Sequence, residues 1–219
     1  MVGRESFENN LHELQEKMTE MGKLTVISFE KAFKAFIEQD VELALRVMEE
    51  DDEIDDLETE INQHAIWLMV KEQPVARDLR RIIGALKISS EIERIADFAV
   101  NISKATIKIG NAKTLMGITS LEQMKELSIE MFQKALESFF EGNLPLAKEV
   151  GNMDDKVDQL SDDNYKDLTN YLSTHPEETN QLIQLILVNR YLERTADHIT
   201  NIAESAAYLI KGRIYDLNT

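Results

Sequence analysis

The residues best placed to do chemistry in this chain are eight carboxylates in four pairs: Asp51 with Asp55, Glu93 with Asp97, Asp154 with Asp158, and Glu193 with Asp197. Each pair is separated by four residues, which puts both members on one face of a helix, about a turn apart. The pairs are two copies of one arrangement. The stretch "ERIADFAVNI" (93–102) returns as "ERTADHITNI" (193–202), identical at six of ten positions, and Asp51 and Asp55 return as Asp154 and Asp158 at an offset of 103. Four of the six identities are polar, whereas packing alone would preserve apolar positions.

Folding each copy as an antiparallel hairpin brings the pairs together. Asp51 and Asp97 are each 23 residues from Pro74, and Asp55 and Glu93 are each 19 away. In the second copy Asp154 with Asp197, and Asp158 with Glu193, centre on the His175–Pro176 junction. Four carboxylates at one height repel each other unless protons or a cation intervene. Their hard oxygens, with no cysteine and few histidines, suit magnesium, manganese, calcium, zinc or iron. The competing reading is a pair of solvated acidic faces. Arg94 and Arg194 are expected in intrahelical salt bridges, or beside the carboxylates where an anion or partner docks. Asn101 and Asn201 extend the same faces by one turn. His198 follows Asp197 directly and points about 100° away from it, which makes it a rim residue rather than a ligand. Trp67 is expected in the core or at an interface.

The elements that must hold these groups are helices. Only 3 prolines and 8 glycines interrupt 219 residues. Each copy reads as three helices. Asp40 and Asn143 are suited to cap the second helix of each half, with Pro145 in a first turn. Pro74 and Pro176 mark the next boundaries, Pro176 suiting an opening turn. "TSLE" (119–122) has capping-box spacing and starts the second copy after a linker at 110–118. Along the third helices Ala85, Ile88, Ile92, Ile95, Ala99, Ile102, Thr106 and Ile109 alternate steps of three and four. One hundred residues on, Leu185, Val188, Leu192, Thr195, Ile199, Ile202, Ala206 and Leu209 do the same. These are core seams for antiparallel bundle packing. The expected fold is all-α: two tandem, duplicated antiparallel three-helix bundles, 1–112 and 113–219.

Composition narrows the partners. A formal net charge of −17 disfavours nucleic acid and anionic membrane surfaces and favours cations and basic protein surfaces. The absence of cysteine removes disulfides and thiolate metal sites. The start lacks a signal peptide's apolar stretch, and no apolar run nears the roughly 20 residues that span a bilayer. A cytoplasmic protein without membrane insertion is expected.

The two acidic motifs resemble the paired E(D)-x-x-x-D motifs of the PhoU family, and residues 73–87 and 189–204 resemble the segments that carry them. The aspartates at 51–55 and 154–158 match its acidic second-helix positions. Ala96 and Ala196 stand where the family often has glycine, and Thr195 occupies a seam position that is usually apolar. The resemblance implies two three-helix bundles with multinuclear metal sites on their surfaces, assembled as a homodimer. It also implies a non-enzymatic negative regulator of phosphate uptake. Its partners would be the ATPase subunit of the phosphate ABC transporter and the phosphate-sensing histidine kinase. Outside that resemblance, an enzyme fits poorly. Di-iron bundles need Glu-x-x-His on two helices, and none of the 4 histidines has a glutamate three residues before it. A helical metal-binding or scaffold protein without a signalling role is the remaining alternative.

Overall fold

A computed structural model describes residues 2–211. Its long helices are α1 (Val2–Glu38), α2 (Val41–Glu72), α3 (Ala76–Ile109), α5 (Leu121–Glu141), α6 (Leu144–Thr174) and α7 (Thr179–Lys211). One short helix, α4 (Lys113–Met116), lies between α3 and α5, and Pro176–Glu178 form a 3₁₀ turn ahead of α7. No strand occurs among the described residues. The chain is therefore two three-helix bundles, α1–α3 and α5–α7, with a small connecting helix.

The start and stop signals act unevenly. The Asp40 carboxylate accepts the Leu43 N–H at 2.9 Å and caps α2 as its residue type predicts. Asn143 occupies the N-cap of α6, but its side chain makes no capping bond. The predicted capping box at 119–122 does not form. The Ser120 N–H donates instead to the Asn164 side chain at 2.7 Å, and the Thr119 hydroxyl turns back to the Met116 carbonyl. The N-cap falls one residue later, on Ser120, and the Thr119 N–H that Glu122 was expected to satisfy donates to the Met116 carbonyl at 3.2 Å. The linker is also more than a connection, because Ala112 and Leu115 are buried in the core.

Every residue of the first seam is buried, and so is every residue of the second except Leu209, which is partly buried. Both bundles share one continuous apolar core, because α3 packs on α7 as well as on its own bundle. The two helices run antiparallel. Asn180 Nδ2 donates to the Lys108 carbonyl at one end, the Phe98 and Tyr191 rings stack near the middle, and Gly84 meets Leu209 at the other end. These pairs place an approximate two-fold axis between the repeat-equivalent residues Ile95 and Thr195. Thr195 is buried there, and its hydroxyl donates to the Tyr191 carbonyl at 2.8 Å, so a polar residue in the seam leaves no unpaired group. Trp67 is not in the core. It is 44% exposed, with the Lys71 ammonium 4.2 Å above its ring.

The two halves end their first helices differently. Gly142 takes a left-handed conformation at φ 70°, and its repeat counterpart Gln39 takes φ 59°. At Gln39 the cost is offset by an amide hydrogen bond to the Gly110 carbonyl. A Cβ at Gly142 would meet nothing closer than Ile210 at 4.0 Å, so only the backbone would resist it. Gly142→Ala should therefore cost about 1 kcal/mol in urea denaturation, with the slope unchanged.

Candidate functional site

Each acidic face is built across one hairpin. The first joins Asp51 and Asp55 of α2 to Glu93 and Asp97 of α3; the second joins Asp154 and Asp158 of α6 to Glu193 and Asp197 of α7. Glu93, Asp97, Glu193 and Asp197 lie beside the buried seams of α3 and α7, as their angular offset requires, whereas Asp154 falls in line with the buried Val150 and Val157 of α6. Asp55 and Asp158, on the outer edge, are exposed. Asp51, Glu93, Asp97, Glu193 and Asp197 are half-buried, and Asp154 is buried at 3% exposure.

The electrostatics confirm that each set of four shares one field. Burial is the largest cause raising Asp51 to about 6, followed by the charges of Asp55 and Asp97. Burial and then Asp97 push Glu93 up to about 7 against the opposing pull of Arg94. Asp55 is raised by burial and by Asp97. The second face repeats the pattern. Asp154 rises to about 7 through burial, Asp158 and Asp197, with the Thr200 hydroxyl working the other way. Burial and then Asp197 raise Asp158 and Glu193, and Asp197 itself is raised by burial against His198, Arg194 and Arg190. Asp97 and Asp197 are thus the hubs, each charging the other three carboxylates of its face.

The arrangement stops short of a coordination sphere. Among the described residues, no three Asp, Glu or His side chains are gathered closely enough to hold a metal ion. Two oxygens nonetheless point to a missing partner. Asp51 Oδ1 and Asp154 Oδ1, at repeat-equivalent positions, are both buried without a well-formed hydrogen bond among the described residues, Asp154 having only the Thr200 hydroxyl beside it. A buried carboxylate oxygen without a donor is costly unless a proton or a cation meets it. Oxygen donors at raised pKa, facing a small cluster of like charges, fit a hard or borderline cation.

The remaining predicted residues divide. Arg94 pairs within its helix, 3.3 Å from Asp97 and 3.6 Å from Glu93. Arg194 is exposed, and its charge acts on Asp197 and Glu193. Asn101 is partly buried on the first face. Asn201 turns to the other bundle, donating to Glu91 Oε2 at 3.2 Å. His198 is not a free rim residue. It lies between α3 and α7, 2.6 Å from Glu91 Oε2 and beside the Phe98 ring. Sequence reasoning missed Glu91 altogether. Its signal was divergence: Glu91 and Phe98 stand where the other copy has Tyr191 and His198, so the repeat breaks where the bundles touch.

Two tandem three-helix bundles, each carrying a four-carboxylate face across its last hairpin, define an all-α protein of duplicated acidic bundles. The PhoU domain matches residues 18–106 and again 121–206. The chain therefore belongs to the PhoU family. It is 36% identical over 216 residues to a phosphate-specific transport system accessory protein PhoU homolog of Clostridium acetobutylicum, covering 98% of this chain and 99% of that protein. A homolog of the same name from Aquifex aeolicus is 37% identical over 204 residues, covering 93% and 92%. Among solved structures, PhoU from Pseudomonas aeruginosa superposes with a TM-score of 0.86 at 29% identity, covering 94% of this chain and 100% of that one. The phosphate transport system regulatory protein PhoU from Streptococcus pneumoniae gives 0.89 at 28% identity, covering 96% and 99%. No helix among the described residues is long and apolar enough to cross a membrane.

The raised carboxylates make stability depend on pH in one direction. Each binds its proton more tightly folded than unfolded, so the stability they confer is present when they are protonated. It is lost as pH rises from about 4, the unfolded range, through about 7, where Glu93 and Asp154 ionise. In chelator, the urea midpoint should fall between about pH 5 and about pH 8. Asp154→Asn should make that fall shallower by about 1–2 kcal/mol, after allowing for water reaching this face. An unchanged slope in the variant would contradict the raised pKa of Asp154.

Proposed function

We propose that this chain is a cytoplasmic regulator of phosphate uptake that restrains the phosphate-starvation response while phosphate is plentiful. It acts by protein contact with the ATPase subunit of the phosphate ABC transporter and with the phosphate-sensing histidine kinase, as a homodimer and without catalysis. The bundles divide at residues 112 and 113. The observation that carries this reading is the double match to the PhoU domain across both halves. It is supported by the transport-accessory names of relatives that align over nearly the whole chain. A negative surface of −17 suits contact with basic protein surfaces rather than with nucleic acid.

Metal ions belong to the same proposal. Asp51, Asp55, Glu93 and Asp97 would hold metal on the first face, and Asp154, Asp158, Glu193 and Asp197 on the second. A bound cation would supply positive charge that lets all four carboxylates of a face ionise together. The protein's own contribution is to set the charge of Asp97 or Asp197 against the other carboxylates of its face and to bury one oxygen each of Asp51 and Asp154. Arg94 limits the repulsion on the first face from within its own helix. The alternative, a metal-binding or scaffold bundle without a phosphate role, shares every one of these features and differs only in the cell.

Two measurements separate the claims. Changing Glu93, Asp97, Glu193 and Asp197 together to their amides should lower the metal-to-protein ratio by elemental analysis while leaving helicity unchanged. An unaltered ratio would remove the metal assignment. Deleting the gene in phosphate-rich medium should raise phosphate uptake and a starvation-promoter reporter. No change in either, with any paralogue also removed, would leave the metal-binding bundle as the better account.

A further inference from the structure

A concavity lies far from the carboxylate faces, at the end of the molecule where α3 begins and α5 and α7 finish. It has a volume of about 520 Å³, within the range of small-molecule sites. Three arginines from the first two turns of α3, Arg77, Arg80 and Arg81, line it together with the half-buried rings of Phe139 and Phe140. Apolar side chains of α1 and α7 complete its walls. Glu141 is the one acidic side chain among the described lining residues, and no ion pair joins it to any of the three arginines. Arg80 Nε is buried there without an acceptor among the described residues.

Three features show that the fold does not need this charge. In a chain with 41 acidic and 24 basic residues, three guanidinium groups share a cleft in which no described carboxylate pairs with them. They sit at a helix N-terminus, where the macrodipole opposes cations and favours an anion. The repeat also breaks at these positions: one hundred residues on stand Glu177, Asn180 and Gln181. The equivalent end of the other bundle is closed. There Asn180 Nδ2 donates to the Lys108 carbonyl at 3.0 Å, the Gln39 amide binds the Gly110 carbonyl, and Ala112 and Leu115 are buried. Of two ends built from the same repeat, one is covered by the connecting segment and the other, among the described residues, is open and lined with arginine.

We propose that this cleft binds an organic phosphate of nucleotide size. The guanidinium forks would take a phosphate chain through charge-assisted hydrogen bonds, including the donor that Arg80 Nε now leaves unused, and the Phe139–Phe140 wall would take the apolar body. A single carboxylate would leave most of the positive charge unbalanced, and free orthophosphate would leave the aromatic wall and most of the volume unfilled. The site is separate from the carboxylate faces and does not rest on the regulatory reading.

The test is calorimetric titration of the full chain with ADP, and separately with inorganic phosphate, in chelator so that metal-bridged binding does not contribute. ADP should saturate near one site per chain, and inorganic phosphate should bind more weakly. Arg81→Gln, at an exposed position, and Arg80→Gln should each weaken ADP by about tenfold or more with the helical circular dichroism unchanged. Lack of saturable ADP binding up to about 1 mM would overturn the proposal, as would full-strength binding in the Arg80→Gln, Arg81→Gln double variant. Inorganic phosphate binding as tightly as ADP would overturn the assignment to an organic phosphate.

Discussion

The antiparallel packing of α3 on α7 is the contact on which the rest of the molecule depends. Each of these helices serves its own bundle with one stripe and the other bundle with a second. A helix buried along two stripes has little circumference left, and what remains faces outward beside α2 or α6. The carboxylates occupy that remaining arc. They are held at the edge of a core, close enough for burial to raise their pKa values and open enough for a cation to reach them.

Duplication made the two bundles alike, and their meeting made them differ. On one side of the axis Glu91 accepts from His198 and Asn201; on the other, the equivalent positions are the stacked rings of Tyr191 and Phe98. Inside the second bundle Asn164, Asn189 and Ser161 form a buried network that also holds the Ser120 N–H. The first bundle has Ile61, Ser89 and Glu58 at the corresponding places. A buried network of this kind favours one register, because any slip would strand its polar groups without water. It gives the second half a specificity that the first obtains from apolar packing at Ile61.

Much of this was legible in the sequence because helices turn spacing directly into geometry. The seams from Ala85 to Ile109 and from Leu185 to Ala206 are buried along their length, since a three-four alternation has one solution in a bundle. Counting outward from Pro74 placed Asp51 near Asp97 and Asp55 near Glu93, and the shared field among those carboxylates agrees. The capping box at 119–122 does not form because Thr119 turns both its N–H and its hydroxyl to the Met116 carbonyl of the preceding turn, which moves the N-cap to Ser120. Trp67 is not a core residue because residue type predicts burial only on average, and its ring lies on the surface of α2 with His64 and Lys71 of the same helix beside it.

Sequence alone therefore determined the helices, their pairing within each half and the two acidic faces, all of which follow from periodicity and distance along the chain. Its one sign of how the halves meet was the divergence of the repeat at positions 91 and 98, because the contacts between α3 and α7 join residues from 72 to 125 positions apart with no local spacing rule. Only the tertiary structure decided that His198 binds Glu91, that one end of the pair is covered by the connecting segment, and that the other gathers Arg77, Arg80 and Arg81 into a cleft that is open among the described residues.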